Sequence, residues 1–203
     1  MSVRSITLET PDPAAAQSFY ASALGVPAPV GLRPSTASTS GFRGFTLSLV
    51  VPQPSTVDAV TDAARKAGAS VLKPVEKSFW GYGGVVEAPD GSIWKVATSS
   101  KKEVGAPAGR IDDIVLLLGV EDVKASKRFY LEHGLTVKRS FGSKYVEFDA
   151  PPSHVKLALY GRRALAKDAG VPGEGTGSHR ILIGTDHESF TDPDGFEWRS
   201  ATG

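Results

Sequence analysis

Apolar and polar residues alternate in several short stretches of the chain, and each half of the sequence opens with one. Residues 3–10 place Ile6 and Leu8 on one side of an extended segment and polar residues on the other. This period of two is typical of a half-buried strand. Residues 111–118 form a more continuous apolar run, which favours a strand covered on both faces. Apolar residues at helical spacing follow each stretch, so both halves begin with a strand and a helix.

Three helix starts carry capping residues. Asp12 and Asp122 precede the first helix of each half, where an aspartate can accept hydrogen bonds from free backbone N–H groups. A further helix begins with a capping-box variant formed by Ser55 and Asp58, and Gly68 stands where this helix would stop. These signals predict helix boundaries independently of the apolar pattern.

The remaining elements follow from short apolar runs between turn residues. Strands are predicted at 45–51, 70–76, 83–88, 92–98, 135–140, 144–149, 154–160 and 179–184, with a short helix over 162–169. Residues 26–40 contain too much proline and serine for regular pairing, so no strand is predicted there. The predicted fold class is therefore α+β.

Two phrases of the sequence occur twice. The phrase "EAPDGSIWKVAT" at 87–98 returns as "TDPDGFEWRSAT" at 191–202, and Asp12, Phe19 and Tyr20 return as Asp122, Phe129 and Tyr130. Residues 99–109 between the repeats are small and polar and contain glycine and proline, as surface linkers do. The sequence thus predicts one half over 1–100, a linker over 101–109 and a second half over 110–203.

The length, composition and net charge of the chain exclude several classes of function. The chain has 203 residues, of which 40% are hydrophobic, enough for a sizeable core, and its 23 basic and 22 acidic residues give a net charge of +1. No basic surface for nucleic acid and no membrane-spanning segment is predicted. The chain has no cysteine, so thiolate nucleophiles and thiolate-bound metals are excluded. We expect a cytoplasmic protein.

These repeats resemble the vicinal oxygen chelate superfamily, which includes glyoxalase I, bleomycin-resistance proteins and extradiol dioxygenases. The resemblance rests on the repeated aspartate and Phe-Tyr pair, on "KPVEKSFWGYGG" before "APDGSIW", on "LALYGRRALAKDAGV" and on "DPDGFEW". It implies tandem βαβββ modules, the glyoxalase/bleomycin-resistance fold, with curved mixed sheets and helices on the outer face. Modules of this family pair around a cupped cavity, either within one chain or between two, so a monomer and a homodimer are both open.

Side-chain alternation assigns roles to the repeated phrase. Residues two and four beyond the glycine of the PDG turn point one way along a strand, and the residue at three points the other way. Trp94 and Trp198 stand at three, and we expect them to pack under the helices. The positions at two and four, expected to face the cup, are Ile93, Lys95, Glu197 and Arg199.

The resemblance also shows where this chain departs from the family. Metal-dependent members carry a Glu four residues past the PDG glycine and a His early in the first strand. Here Lys95 and Arg199 occupy the first position and Ser5 the second. Protonated lysine and arginine cannot ligate a divalent ion and would repel it. We therefore expect no metal and no other cofactor.

A cup without a metal suggests binding of a small organic molecule. Lys95 and Arg199 could pair with an anionic group, beside Ser5 and Glu197, and the aromatic residues Trp80, Tyr82, Phe141 and Tyr145 could close on a flat ligand. The alternatives are ordinary core and rim packing for the aromatics, and salt bridges for the cations, Arg199 with Glu147 or Lys95 with Glu9.

The leading hypothesis is a metal-free binding protein of the glyoxalase/bleomycin-resistance type whose partner is a small molecule, with anionic or aromatic ligands favoured. The enzymatic alternative is a lyase, isomerase or dioxygenase, using an unconventional metal site around His179 and Glu197 or using Lys95 as a general base. A third alternative is a degenerate module that serves as an assembly surface.

Overall fold

The computed structural model describes residues 1–25, 30–78, 81–106, 110–151 and 155–201. Its strands are β1 (Val3–Thr10), β2 (Val30–Pro34), β3 (Thr39–Gly41), β4 (Phe45–Val50), β5 (Ser70–Ser78), β6 (Gly81–Glu87), β7 (Ile93–Thr98), β8 (Asp113–Val120), β9 (Val137–Phe141), β10 (Tyr145–Phe148), β11 (Lys156–Gly161), β12 (Gly175–Gly177), β13 (Ile181–Thr185), β14 (Phe190–Thr191) and β15 (Glu197–Ser200). Its helices are α1 (Pro13–Phe19, continued by a π-helical turn over Tyr20–Leu24), α2 (Pro54–Lys66), α3 (Val123–Glu132) and α4 (Arg162–Ala169).

The largest sheet has eight strands in the order β5-β6-β7-β4-β8-β11-β10-β9. It consists of two complete βαβββ modules, which cover 45–98 and 113–161. In each module the first strand lies beside the fourth and parallel to it. The two first strands, β4 and β8, pair antiparallel, with Leu47 opposite Leu116. The α+β fold class with tandem βαβββ modules is therefore confirmed.

The second sheet has five strands in the order β14-β15-β13-β1-β2 and joins the two ends of the chain. Its centre repeats the arrangement of the first sheet, because β1 and β13 pair antiparallel and each has a parallel neighbour, β2 or β15. Strands from before and after the proposed linker thus occur in both sheets. The division of the sequence at 101–109 stays a prediction about its repeats.

One apolar core lies between the two sheets. Its cluster of buried residues includes Ile6 and Ile183 from the five-stranded sheet, Leu47 and Leu116 from the eight-stranded sheet, and residues from α1, α2 and α3. Both sheets therefore turn their helix-bearing faces toward the same interior. The other face of each sheet, which we call its concave face, points away from this core.

The helix α4 lies on the concave face of the eight-stranded sheet. Its buried residues Leu165, Ala166 and Ala169 form a separate apolar cluster with Val85 and Ile93 from that face. The glycine Gly170 ends the helix with φ of 83°, a left-handed conformation that favours glycine. Helix 162–169 was predicted, but its position inside the cup was not.

Two local predictions are wrong. Residues 26–40 were expected to contain no strand, but β2 pairs in parallel with β1, and β3 pairs with β12. Edge positions tolerate proline, and Pro34 ends β2. The predicted capping box of α2 is also absent, because Gln53 is the N-cap and the Ser55 hydroxyl instead hydrogen-bonds to Glu103 at 2.5 Å.

Candidate functional site

The repeated phrase at 87–98 forms a turn followed by β7, which has one side in the core. Trp94 is fully buried, and its ring lies 5.5 Å from that of Tyr20. Its neighbours Ile93 and Lys95 point to the concave face, where Ile93 packs in the cluster with α4. The prediction that Trp94 packs under a helix is therefore confirmed.

The second copy of the phrase behaves in the same way on the other sheet. Trp198 is fully buried, with its ring 5.5 Å from that of Tyr130. Glu197 and Arg199 point away from it, to the concave face of the five-stranded sheet. Because both tryptophans face the common core, the two concave faces point in opposite directions. Lys95 and Arg199 were expected in one cup, and the structure does not bring them together.

Lys95 lies at the edge of a small cavity on the eight-stranded sheet. Its Nζ is 2.8 Å from Asp168 Oδ2 of α4, and both side chains are partly exposed, at 37% and 43%. The cavity has a volume of about 200 Å³ and is lined by β5, β6, β7 and Asp168. A second cation on the same face, Lys156, pairs with Asp113 at 2.6 Å.

Arg199 forms an exposed ion pair. Its Nη2 is 2.9 Å from Glu197 Oε2, and the side chains are 60% and 51% exposed. The two alternative salt bridges considered from the sequence are both wrong. Glu147 pairs with Lys138 and Glu9 pairs with Arg33, and each partner lies on the neighbouring strand of the same sheet.

Ser5 lies on the concave face of the five-stranded sheet. In the pairing register it stands opposite Gly184, which in turn stands opposite Arg199. The Ser5 hydroxyl fills the space beside Gly184 that a side chain would need. One face of this sheet therefore carries three of the predicted cup residues, Ser5, Glu197 and Arg199. Lys95 was predicted to line the same cup, but it is not on this face.

The aromatic candidates divide between the two faces of the eight-stranded sheet. Tyr145 is paired with Tyr160 across β10 and β11, on the concave side, and Phe141 stands beside it with 57% exposure. Burial, followed by the charge of Glu147, raises the pKa of Tyr145 to about 12. Phe141 and Tyr145 thus form an aromatic edge of the concave face.

Tyr82 is among the residues that line the Lys95 cavity, but its ring points to the opposite side of the sheet. Its ring packs with Val51, Val57 and Val96 under α2, and its hydroxyl donates to Asp58 Oδ1 at 2.8 Å. The hydrogen bond with Asp58 raises the pKa of Tyr82. Trp80, the remaining aromatic candidate, lies outside the described residues.

The glycines around Tyr82 have a packing role. Gly81 has φ of 143°, and a Cβ there would collide with the carbonyl oxygen of Thr98. At Gly83 a Cβ would lie 2.8 Å from the carbonyl oxygen of Val96. These residues are glycines because β6 and β7 approach closely.

The side chains that stand where the resemblance implies a glutamate ligand do not fit a divalent ion. Both are cations, Lys95 and Arg199, and each is held by a carboxylate. Within the described ranges, no three His, Asp or Glu side chains are grouped so that they could hold a metal ion.

The alternative metal site around His179 and Glu197 is not favoured either. The two residues do line one cavity of about 320 Å³. However, His179 Nδ1 lies at hydrogen-bond distance from the carbonyl oxygen of Arg43, and Nε2 is 3.1 Å from that of Asp194. Its ring also stacks on Phe196 at 4.0 Å. Both nitrogens are thus engaged by the backbone.

One charged residue of a second cavity was missed from the sequence. Arg43 is half-buried at a cleft of about 260 Å³ between the PDG turn of β7 and the segment after α4. Burial lowers the pKa of Arg43, opposed by the charge of Asp90. The only signal in the sequence is a lone arginine between apolar residues and glycine in "GFRGF".

Comparisons with known proteins agree with this fold. Glyoxalase I from Zea mays superposes with a TM-score of 0.63 at 14% identity, over 97% of this chain and 90% of that one. A candidate dioxygenase from Bacillus subtilis superposes with a TM-score of 0.61 at 14% identity, over 100% of this chain and 86% of that one. No family model matches the sequence, and no curated protein matches it.

The chain therefore has the fold of the vicinal oxygen chelate superfamily, and the resemblance noted from its motifs is confirmed at that level. Both structures align with almost the whole chain rather than with one module. The likeness extends to the fold alone at this identity. In the part of the chain that the structure describes, no helix is long and apolar enough to cross a membrane.

Proposed function

We propose that the chain is a metal-free binding protein of the glyoxalase/bleomycin-resistance type, which holds a small organic anion on the concave face of its eight-stranded sheet. The observation that carries the proposal is the placement of Lys95. An ammonium group stands where metal-dependent relatives carry a carboxylate ligand, and it borders a cavity of about 200 Å³. A cation beside a partly enclosed cavity is suited to an anionic group.

The size and covering of this face limit the ligand. The apolar side of α4 covers part of the concave face through Leu165 and Ala169, and the Lys95 cavity lies beside this covered part. The volume is below the range of about 300–1,000 Å³ typical of drug-sized ligands. The proposal is therefore for a small carboxylate or phenolate rather than for a large conjugate.

The ion pair of Lys95 with Asp168 sets the expected strength of binding. Both side chains are more than a third exposed, so water and salt screen their attraction and the pair is weak. A ligand carboxylate can replace Asp168 at Lys95 at little cost. Tyr145 lies four strands from β7 in the sheet, about 19 Å away, and Phe141 lies one strand further, so a small carboxylate held by Lys95 does not reach these two rings.

Benzoate is a suitable probe, because it combines one carboxylate with one ring. We expect Lys95→Met to weaken benzoate binding on the order of tenfold, as loss of a charge-assisted hydrogen bond does. Lys156→Met is the matched control, since Lys156 also forms an ion pair with an aspartate on this face. Isothermal titration with both variants makes the measurement, and backbone amide shifts in β6 and β7 locate the ligand.

Three results would contradict the proposal. They are the absence of benzoate binding, an affinity that Lys95→Met leaves unchanged, and a stoichiometric divalent metal whose removal by a chelator abolishes a catalytic activity. The last result would support the enzymatic alternative, a lyase, isomerase or dioxygenase.

The proposal includes the cellular setting. A chain with no cysteine and a net charge of +1 suits a cytoplasmic protein that binds neither nucleic acid nor membranes. Both pairs of first strands, β1 with β13 and β4 with β8, form within one chain. A second copy is therefore not needed to complete either sheet, and we propose a monomer, which light scattering would distinguish from a homodimer.

A further inference from the structure

The cleft beside Arg43 differs from the Lys95 cavity in the state of its charges. Three ionisable side chains line it, Arg43, Glu87 and Glu174. Among the residues that the structure describes, none of the ion pairs includes any of these three. By contrast, Lys95 and Lys156 are each neutralised by an aspartate.

Arg43 is held in place by a backbone hydrogen bond and not by an ion pair. Its Nη2 donates to the backbone carbonyl oxygen of Asp90 at 2.5 Å. The carboxylate of Asp90 is directed elsewhere, toward the hydroxyl groups of Ser92 at 2.7 Å and Tyr20 at 2.8 Å. A guanidinium has five N–H donors in a fork that matches a carboxylate, so donors remain for a ligand.

The two glutamates stand on opposite sides of the cleft. Glu87 ends β6 and pairs in register with Ile93, which places it on the concave face near the PDG turn. Glu174 is exposed and follows α4, in the segment whose Val171 and Pro172 form the facing wall. The lining of the cleft thus contains one half-buried cation and two carboxylates.

The rest of the wall is apolar. Phe42, Phe45 and Ile93 line the cleft and are each at least 94% buried. Their position is fixed by packing, because Phe42 and Ile93 belong to the cluster that holds α4 on the sheet. An apolar wall with a few convergent charges is the usual composition of a small-molecule site.

From these charges and walls we infer that the Arg43 cleft binds a small zwitterion with an apolar side chain, such as a free aliphatic amino acid. The ligand carboxylate pairs with Arg43, its ammonium group pairs with Glu87 or Glu174, and its side chain contacts Phe42 and Ile93. A simple anion would satisfy Arg43 but would be repelled by both glutamates, and a simple amine would leave Arg43 without a partner.

Three probes with the same isobutyl side chain separate the two charges. L-leucine carries both, 4-methylpentanoate lacks the amine, and 3-methylbutylamine lacks the carboxylate. We expect L-leucine to bind at least tenfold more tightly than either, because each charge-assisted contact contributes about one factor of ten. Isothermal titration gives the affinities, and the backbone amide shifts of Gly91 and Ile93 locate the ligand.

Variants assign each charge to its partner. Arg43→Gln should weaken L-leucine and 4-methylpentanoate about tenfold and leave 3-methylbutylamine unchanged. A double variant, Glu87→Gln with Glu174→Gln, should weaken L-leucine and the amine instead. Since Glu174 is exposed, Glu174→Gln alone keeps the test available if Arg43→Gln does not fold.

The inference does not rest on the proposed function at Lys95, and the two can fail separately. Lys95→Met should leave L-leucine binding unchanged, whereas it should weaken benzoate. No binding of L-leucine, equal affinities for the three probes, or loss of L-leucine binding in Lys95→Met would each overturn the inference.

Discussion

The two buried tryptophans occupy equivalent places in the two sheets, yet the polar groups around them differ. Beside Trp94, a network of hydroxyl groups connects the indole to the turn: its Nε1 donates to Ser92 Oγ at 2.9 Å, and Ser92 also bonds to Asp90 and Tyr20. Beside Trp198, the residue equivalent to Ser92 is Phe196, which has no acceptor in its side chain. The repeat therefore preserves the ring and not its hydrogen bond.

The second cluster uses a buried carboxylate instead. The hydroxyl of Tyr130 donates directly to Asp192, which also accepts from the backbone N–H groups of Phe196 at 2.8 Å and Asp194 at 3.0 Å. Asp192 is only 5% exposed, and burial raises its pKa although the bond from Tyr130 opposes the shift. The position equivalent to Asp192 in the first phrase is Ala88.

This comparison shows what the repeat conserves physically. In both clusters a tyrosine from a helix bonds to a turn that is distant in sequence. The tyrosine that follows α1 bonds to the 88–92 turn, and the tyrosine of α3 bonds to the 192–196 turn. The hydrogen bond between the tyrosine and the turn is present in both clusters. The aspartate that accepts it stands two positions earlier in the second turn than in the first. The two clusters therefore share the position of the tyrosine contact but not the position of the residue that accepts its hydrogen bond.

Removal of either indole should give the largest effect. Trp94→Ala and Trp198→Ala should each lower the free energy of unfolding by about 3–5 kcal/mol, the usual cost of deleting a large buried side chain. The two Trp→Phe variants test the difference in hydrogen bonding. The loss of unfolding free energy should be larger at Trp94 than at Trp198, because only the Trp94 indole donates to a serine hydroxyl. Urea unfolding measures all four variants, and an equal cost of the two Trp→Phe changes would contradict the distinction.

Replacement of the aspartate in each cluster should give the next largest loss of unfolding free energy, and the loss should differ between the two clusters. Asp192→Ala leaves the Tyr130 hydroxyl and two backbone N–H groups without a buried acceptor and should cost about 3 kcal/mol. Asp90→Ala should cost about 1 kcal/mol, because Ser92 still bonds to Tyr20 and Trp94 after the change. The same unfolding measurement applies, and equal losses would show that Asp192 is not the central acceptor of its cluster.

The two tyrosines should make stability depend on alkaline pH. Burial, with the charge of Asp90 or Asp192, raises the pKa of Tyr20 and Tyr130. Their contribution is fully present below the unfolded pKa of about 10 and is lost as the pH rises through the higher folded pKa. Above pH 10 each should reduce the unfolding free energy by about 1.4 kcal/mol per pH unit.

The control for this pH dependence is the phenylalanine variant at each site. Tyr130→Phe and Tyr20→Phe should each flatten the decline, and each should cost about 1 kcal/mol at pH 7 through the lost hydrogen bond. Guanidinium unfolding at several pH values gives the slope. A slope that both variants leave unchanged would mean that other groups cause the decline.

Local patterns in the sequence predicted the elements well, because they depend on neighbouring residues. The helix over 162–169 and the strand at 92–98 match α4 and β7 closely. The alternation along β7 also gave the correct faces, since Trp94 is buried and Lys95 lies on the opposite side. Period and turn chemistry are sufficient for such statements.

The same local patterns could not predict which distant elements contact each other. Nothing in residues 3–10 indicates that β1 pairs with β13 of the other half as well as with β2. Because β13 in turn pairs with β15, Arg199 lies on a different sheet from Lys95. The face occupied by Tyr82 depends on the register of β6 with β7. Arg43 becomes a candidate only once the segment after α4 folds over it, which is a long-range contact.

The pairing of β1 with β13 has a consequence for synthesis on the ribosome. The paired positions Leu8 and Ile181 are 173 residues apart in the sequence, so at about 5–20 residues per second the first strand waits on the order of ten seconds or more for its neighbour. The eight-stranded sheet, complete by residue 161, can form earlier. During that interval the apolar side of the nascent N-terminal strand is a natural target for a chaperone.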